Sequence, residues 1–160
     1  MNELQKRLAL LEDKLAIYET MNRYEYYLDH KMLDEFLDLF TEDAVADYDL
    51  FGKIEGKESL RTFFKDYIGG KTHFKFWFHM IHNGFVDIEG NSANGFWQLE
   101  MANTFEDIGA TWMLATYNNR FARMKNEWKL KEVNLVIHML TPYREGWDRM
   151  GLIVPGYPRT

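Results

Sequence analysis

The chain has 160 residues, about the length of one domain and enough to bury a substantial core without a disulfide or metal. It contains no cysteine, which excludes disulfides, zinc-thiolate sites, iron–sulfur clusters and a cysteine nucleophile. With 19 basic against 25 acidic residues the net charge is −6, which argues against a nucleic-acid-binding protein. The 12 Phe, 9 Tyr and 5 Trp are more rings than a small core needs.

The first half of the chain is predicted to be largely helical. Apolar residues recur at helical spacing at Leu4, Leu8, Leu11, Leu15 and Tyr18. With charged residues between them, they predict an amphipathic helix that runs to about residue 28. A second, short helix is expected over 32–39, a turn over 41–43 and a strand over 44–51. A third helix is predicted over 57–67 and should end at Gly69-Gly70.

The second half of the chain alternates polar and apolar residues, which predicts antiparallel strands. The predicted strands cover residues 75–87, 92–106, 111–124 and 128–140. Helices followed by strands indicate the α+β class. We expect a cone-shaped α+β barrel, with N-terminal helices packed on a curved antiparallel sheet that encloses a cavity. One domain is predicted over 1–160, with a core at about 16–141 and an irregular tail over 142–160.

The sequence carries no short catalytic motif, and its 5 histidines are too scattered to indicate a metal site. His79 lies in a predicted strand, on the same face as Ile81 and opposite His82. A lone histidine in a strand is most often a hydrogen-bonded core or surface group. Paired with a carboxylate in a dry cavity, however, it becomes a general base near neutral pH.

Asp29 lies at the predicted C-terminus of the first helix, where the helix dipole disfavours an anion. It is either a surface residue before a turn or a carboxylate aimed into a pocket. Asn103 is the one polar member of a predicted strand face that it shares with Trp97. The adjacent Asn118 and Asn119 are poor strand formers, so their amides are either needed inside or exposed to solvent.

The order of these features resembles the SnoaL-like branch of the nuclear-transport-factor-2-like superfamily. That branch includes scytalone dehydratase, bile-acid 7α-dehydratase and hexachlorocyclohexane dehydrochlorinase. The resemblance covers residues 16–141 and rests on several features in order. These are Tyr24 and Asp29 in one helix, a strand ending in Asp47-Tyr48, His79 on a strand, and the strand segment Gly95-Phe96-Trp97-Gln98-Leu99.

The resemblance implies roles for individual residues. Asp29 would orient His79, and His79 would abstract a proton, while Tyr24 and Tyr48 would position or polarise the substrate. Substrate-binding positions are expected at Trp97, Met101, Asn103, Tyr117 and Asn119. Met101 and Asn103 occupy positions where relatives have an acid and a second histidine. The residues expected to assist the leaving group therefore differ from those of the relatives. The segment Leu140-Thr141-Pro142 resembles one that closes over the cavity in the family.

The implied function is a cofactor-independent lyase that acts on a small aromatic or polycyclic alcohol. It would be a dehydratase, or a formaldehyde-releasing lyase on a lignin-type diaryl alcohol. The alternatives are a non-catalytic binder of an apolar or aromatic ligand and a proton-transfer isomerase.

No metal, cofactor, nucleic-acid or membrane partner is expected. The N-terminus has no secretory leader, and no stretch has the ~20 apolar residues of a membrane span. We therefore expect a cytoplasmic protein. An apolar outer sheet face at Phe74, Phe76 and Phe78 predicts a homo-oligomer. The family resemblance implies that a trimer is favoured, with a dimer possible.

Overall fold

The computed structural model describes residues 2–69 and 74–147, in which three helices pack on one side of a sheet. The helices are α1 (Glu3–Asp29), α2 (Leu33–Asp38) and α3 (Lys57–Ile68). The strands are β1 (Phe40–Asp47), β2 (Lys53–Glu55), β3 (Phe74–Glu89), β4 (Ser92–Phe105), β5 (Gly109–Met124) and β6 (Glu127–Pro142). Gly70 and residues 148–160 of the predicted tail lie outside the described residues.

The six strands form one open sheet in the order β2-β1-β6-β5-β4-β3. Neighbouring strands are antiparallel except β1 and β6, which run parallel. The four long strands β3 to β6 are connected by short turns, and α1 packs against β3 and β6. The predicted α+β cone is therefore confirmed, with one parallel pair in the sheet. Within the described residues, no helix combines the length and apolar character needed to cross a membrane.

Helix α1 has two halves with different surroundings. From Ile17 onward, Met21, Tyr24 and Leu28 recur every three or four residues and are buried. In the first half, the leucines predicted to form the apolar face are instead 53% to 73% exposed, at Leu4, Leu8, Leu11 and Leu15. That half is attached chiefly through Asp13, which binds Arg123 and accepts a hydrogen bond from the indole of Trp128.

Two sequence predictions between the first and third helices are wrong. The predicted turn over 41–43 lies inside β1, where Glu42 and Asp43 are exposed and make the segment look turn-like. The register between β1 and β6 also shifts within this stretch. The strand predicted to reach residue 51 ends at Asp47 and is followed by a single 3-10 turn at Asp49–Phe51.

Strand β3 carries a register shift between Phe74 and Phe76 that changes which faces they occupy. Phe74 is buried against Tyr67 and Phe105, whereas Phe76 and Phe78 are exposed on the outer face. The prediction that Phe74 belongs to the outer face is therefore wrong.

Candidate active site

Asp29 and His79 are brought into direct contact although 50 residues separate them. The Asp29 Oδ1 atom lies 2.6 Å from Nδ1 of His79, and Oδ2 accepts the backbone N–H of His79 at 3.0 Å. Both side chains are buried, with 7% and 6% of their surface exposed. Because Nδ1 is engaged by the carboxylate, Nε2 is the ring nitrogen available to a molecule in the cavity.

The end of α1 is fixed to β3 close to this contact. The indole N–H of Trp77 donates to the backbone oxygen of Leu28 at 3.4 Å, and the Lys31 ammonium lies 5.3 Å from the centre of the Trp77 ring. Trp77 and His79 point to the same side of β3 because they are two positions apart on the strand. These contacts hold Asp29, the last residue of the helix, beside the imidazole.

His79 lies in the wall of a cavity of about 490 Å³ between the helices and the sheet. Among the residues that the structure describes, nine Phe and Tyr side chains line it, together with aliphatic side chains and Asp107. The rings come from α1, α3 and several strands, and include Tyr24, Phe63, Tyr67, Phe74, Phe105 and Tyr117. Such a lining suits an apolar or aromatic molecule with few polar groups.

Four of the predicted site residues besides His79 line this cavity: Tyr24, Tyr48, Met101 and Tyr117. The Tyr24 and Tyr48 hydroxyls form a hydrogen bond of 2.8 Å. Burial raises the pKa of Tyr24, Tyr48 and Tyr117, and neighbouring Glu25 adds to the shift. The phenols therefore remain protonated at neutral pH and can donate hydrogen bonds.

Trp97 is buried but is not among the described residues that line the cavity. Its indole packs across two glycines: a Cβ added at Gly84 or Gly95 would lie only 2.2 Å or 2.4 Å from the ring. Tyr18 meets the same indole edge to face. The two glycines thus make room for a core tryptophan.

Asn103 and Asn119, also predicted to bind substrate, are buried and hydrogen-bonded within the protein instead of lining the described cavity. Asn103 accepts a hydrogen bond from the hydroxyl of Thr111 on the neighbouring strand. Asn119 Oδ1 accepts the backbone N–H of Asn134 at 3.1 Å, where the pairing of β5 and β6 has a gap. The Asn119 amide therefore completes the pairing of β5 and β6, which explains a poor strand former inside a strand, whereas Asn103 makes a side-chain hydrogen bond to its paired residue on β5.

His82 lies on the outer face of β3, as the alternation predicts, and its Nε2 is 3.6 Å from the Glu100 carboxylate. Both side chains are partly exposed. Within the described parts of the chain, no group of three or more acidic or histidine side chains is arranged to hold a metal ion.

Glu25 is a buried carboxyl group that sequence reasoning missed. Its side chain is 6% exposed, and Oε2 lies 3.7 Å from Nδ1 of His79. Neither oxygen has a hydrogen-bond partner among the described residues. The pKa of Glu25 is raised to about 7 as the net result of several effects: burial is the largest and Asp29 adds to it, while His79 and the nearby Tyr117 hydroxyl oppose it.

A sequence signal for Glu25 did exist. Glu25 and Asp29 are four residues apart, so they share a helix face with Met21 and Leu28. Like charges at this spacing destabilise a helix, so two acids on an apolar face indicate a functional or structural need for them.

The pKa of His79 reflects opposing effects. Burial alone would lower it, but the negative charges of Glu25 and Asp29 and the hydrogen bond to Asp29 outweigh burial and raise it above its ordinary value. The imidazole is therefore a stronger base than a free histidine. It is placed to take a proton through Nε2 from a molecule in the cavity.

Residues 9–134 match the SnoaL-like domain, which covers most of the chain. The chain belongs to the SnoaL-like family. Curated relatives of this SnoaL-like protein include uncharacterised proteins of Mycobacterium tuberculosis and Mycobacterium bovis, 27% identical over 88 residues. Those matches cover 54% of this chain and 58% of each relative, so the match spans little more than half the relatives' length.

Solved structures show the same fold in this SnoaL-like protein and in several others. A candidate scytalone dehydratase from Novosphingobium aromaticivorans superposes with a TM-score of 0.74 at 22% identity, covering 88% of this chain and 91% of that chain. A hexachlorocyclohexane dehydrochlorinase, LinA type 2, gives 0.76 at 17% identity, covering 94% and 97%. At these identities the likeness shows the fold alone.

Proposed function

We propose that this SnoaL-like protein is a cofactor-independent lyase that acts on a small aromatic or polycyclic alcohol. The observation that carries the proposal is the buried Asp29–His79 contact in the wall of a ring-lined cavity. Asp29 fixes the tautomer and orientation of the ring, and Nε2 is left to act as general base. The dehydratase and dehydrochlorinase among the similar folds are consistent with elimination chemistry.

In the proposed dehydration, Nε2 of His79 takes a proton from the carbon next to the one that bears the hydroxyl. The electrons of that C–H bond form a double bond, and the C–O bond breaks. The hydroxyl leaves as water with the proton from the imidazolium, which regenerates the neutral base. Tyr24 or Tyr48 donates a hydrogen bond to the oxygen on which negative charge develops, because one phenol of the pair gives its single O–H to the other.

Formaldehyde release is the other form of the same proposal. His79 would take the hydroxyl proton of a –CH₂OH group on a lignin-type diaryl alcohol. The adjacent C–C bond would break to release formaldehyde, and its electrons would form the C=C double bond as the benzylic hydroxyl leaves as water with the proton from the imidazolium.

Turnover of phenolic and polycyclic alcohols tests the proposal, followed by the absorbance of the conjugated product and by formaldehyde release. We expect His79→Gln and Asp29→Asn to lower the rate ~10²–10⁴-fold, the usual contribution of general acid–base catalysis. The matched control is His82→Ala, on the outer face of the same strand, which should leave the rate unchanged. Equal rates in His79→Gln and the unmodified protein would remove His79 from the mechanism.

A non-catalytic binder is the second candidate, and the apolar lining favours it. Beyond His79, Asp107 and the tyrosine hydroxyls, the described lining offers a leaving group no polar partner, with Met101 among its side chains. Saturable quenching of tryptophan fluorescence by an aromatic alcohol, without product, would support this reading. Solvent deuterium entering recovered substrate, without loss of water, would support a proton-transfer isomerase.

We also infer that the protein forms a homo-oligomer through the outer face of the sheet. Phe76 and Phe78 are about half exposed there, and Phe78 lies beside Ala102 and Trp112 on the next two strands. An apolar face of this kind usually marks an interface. A trimer is the form that the family resemblance favours, with a dimer as the alternative.

A further inference from the structure

We propose that Glu25 is a positioning residue of the general base, a second carboxylate that acts on the imidazole of His79 at Nδ1, the ring nitrogen that Asp29 also binds. The inference rests on the proposed function, because it assigns Glu25 a part in the basicity of His79. The proposed effect of Glu25 is electrostatic: its charge stabilises the imidazolium that forms when Nε2 of His79 takes a proton.

Two carboxylates lie close to the same ring nitrogen of His79. Nδ1 of His79 lies 2.6 Å from Asp29 and 3.7 Å from Glu25, and both acids come from the same face of α1. Asp29 makes the short hydrogen bonds that orient the ring. Glu25 makes none, so its effect on His79 acts through charge.

A buried carboxylate is costly unless hydrogen bonds or a cation balance its charge. The nearest group that can become a cation is the imidazole of His79. A negative charge on Glu25 and a positive charge on His79 therefore stabilise each other, and the two groups bind protons as a linked pair.

The other ionisable groups around Glu25 do not disturb this linkage in the neutral range. Those that interact with it are Asp29 and Tyr24 on α1, Tyr48 after β1, Tyr67 on α3, His79 on β3 and Tyr117 on β5. The four phenols all have raised pKa values and stay protonated. Proton exchange near neutral pH is thus left to the imidazole of His79 and the carboxyl group of Glu25.

The test is the titration of His79 by NMR of its ring nitrogens, in the unmodified protein and in Glu25→Gln. Removing an opposite charge at this distance should lower the pKa of His79 by about one unit or more. The matched control is Glu100→Gln, which removes a carboxylate 3.6 Å from the partly exposed His82. Solvent screening should make the His82 shift much smaller.

An unchanged His79 titration in Glu25→Gln, or a shift no larger than that of His82 in the control, would overturn the inference. Should Glu25→Gln fail to fold, the side-chain carboxyl carbon of Glu25 is followed in the unmodified protein. We expect it to titrate near neutral pH in steps shared with His79. A single step in the ordinary range of a glutamate would overturn the inference equally.

Kinetics separate this inference from the proposed function. If the protein turns over an alcohol, Glu25→Gln should move the inflection of the kcat–pH profile about one unit or more to lower pH. The plateau rate should also fall several-fold, because a weaker base drives proton transfer less. Absence of turnover in every form would contradict the lyase proposal, while the NMR titration would still decide the role of Glu25.

Discussion

Tyr24 and Tyr48, whose hydroxyls form a hydrogen bond, differ in how their rings are packed. Tyr24 is fully buried and contacts Phe36, Phe40 and Tyr117. Tyr48 stacks parallel to Phe63 at 6.1 Å in the cavity wall. The Tyr48 ring can therefore keep its packing when its hydroxyl is removed.

Tyr48→Phe should lower kcat ~10²–10³-fold, the usual effect of removing one preorganised donor, because the remaining ring cannot hydrogen-bond the developing charge. The melting temperature should change little. Turnover and thermal unfolding are compared with those of Tyr26→Phe, a control on the exposed side of α1. A loss of stability as large as the loss of rate would assign the hydroxyl a structural role instead.

The site residues differ in how well their positions could be predicted from the sequence. The pairing of Asp29 with His79 was predictable because the order of elements resembles a family in which these positions meet. Glu25 was not singled out because charged and aromatic residues are mixed along the end of α1. The one local signal for Glu25 is its four-residue spacing from Asp29, on the helix face that Met21 shares. Trp97 and the asparagines depend on glycine gaps and strand register, which only the folded sheet defines.

At the scale of elements, helix α1 shows the limit of periodicity. The leucines of its first half repeat as regularly as the buried residues of its second half, yet only the second half lies under the sheet. Hydrophobic spacing predicts the helix and its apolar stripe but not whether another element covers the stripe. The segment 41–43 shows the converse error, since the exposed acids within β1 make a strand resemble a turn.

Met21→Ala should lower the free energy of unfolding by about 2–5 kcal/mol, because it opens a cavity under a fully buried side chain. Leu11→Ala, in the exposed half of the same helix, should change it by less than about 0.5 kcal/mol. Urea unfolding of both variants provides the comparison. Equal losses would mean that the Leu11 stripe is covered in solution.

At the scale of the whole molecule, self-association should depend on the outer sheet face. We expect light scattering to give three times the chain mass of 19.1 kDa, and the double substitution Phe76→Lys with Phe78→Lys to give the monomer. Charges on that face cannot be buried between copies. Leu11→Lys is the control and should remain a trimer; dissociation by Leu11→Lys alone would place the interface on α1.

The burial of Glu25 beside His79 also makes folding a reaction that takes up protons. In the unfolded chain Glu25 has its ordinary pKa of 4.5, and the fold raises that pKa to about 7, so between these values the folded protein binds the extra proton. His79, whose pKa is also raised, adds stability below pH about 6.5 that is lost as the pH rises through its folded pKa. Both groups act in the same direction, and stability declines from mildly acidic to mildly alkaline solution. On the alkaline side, where the base is free to accept a proton, these two groups no longer add to the stability of the fold.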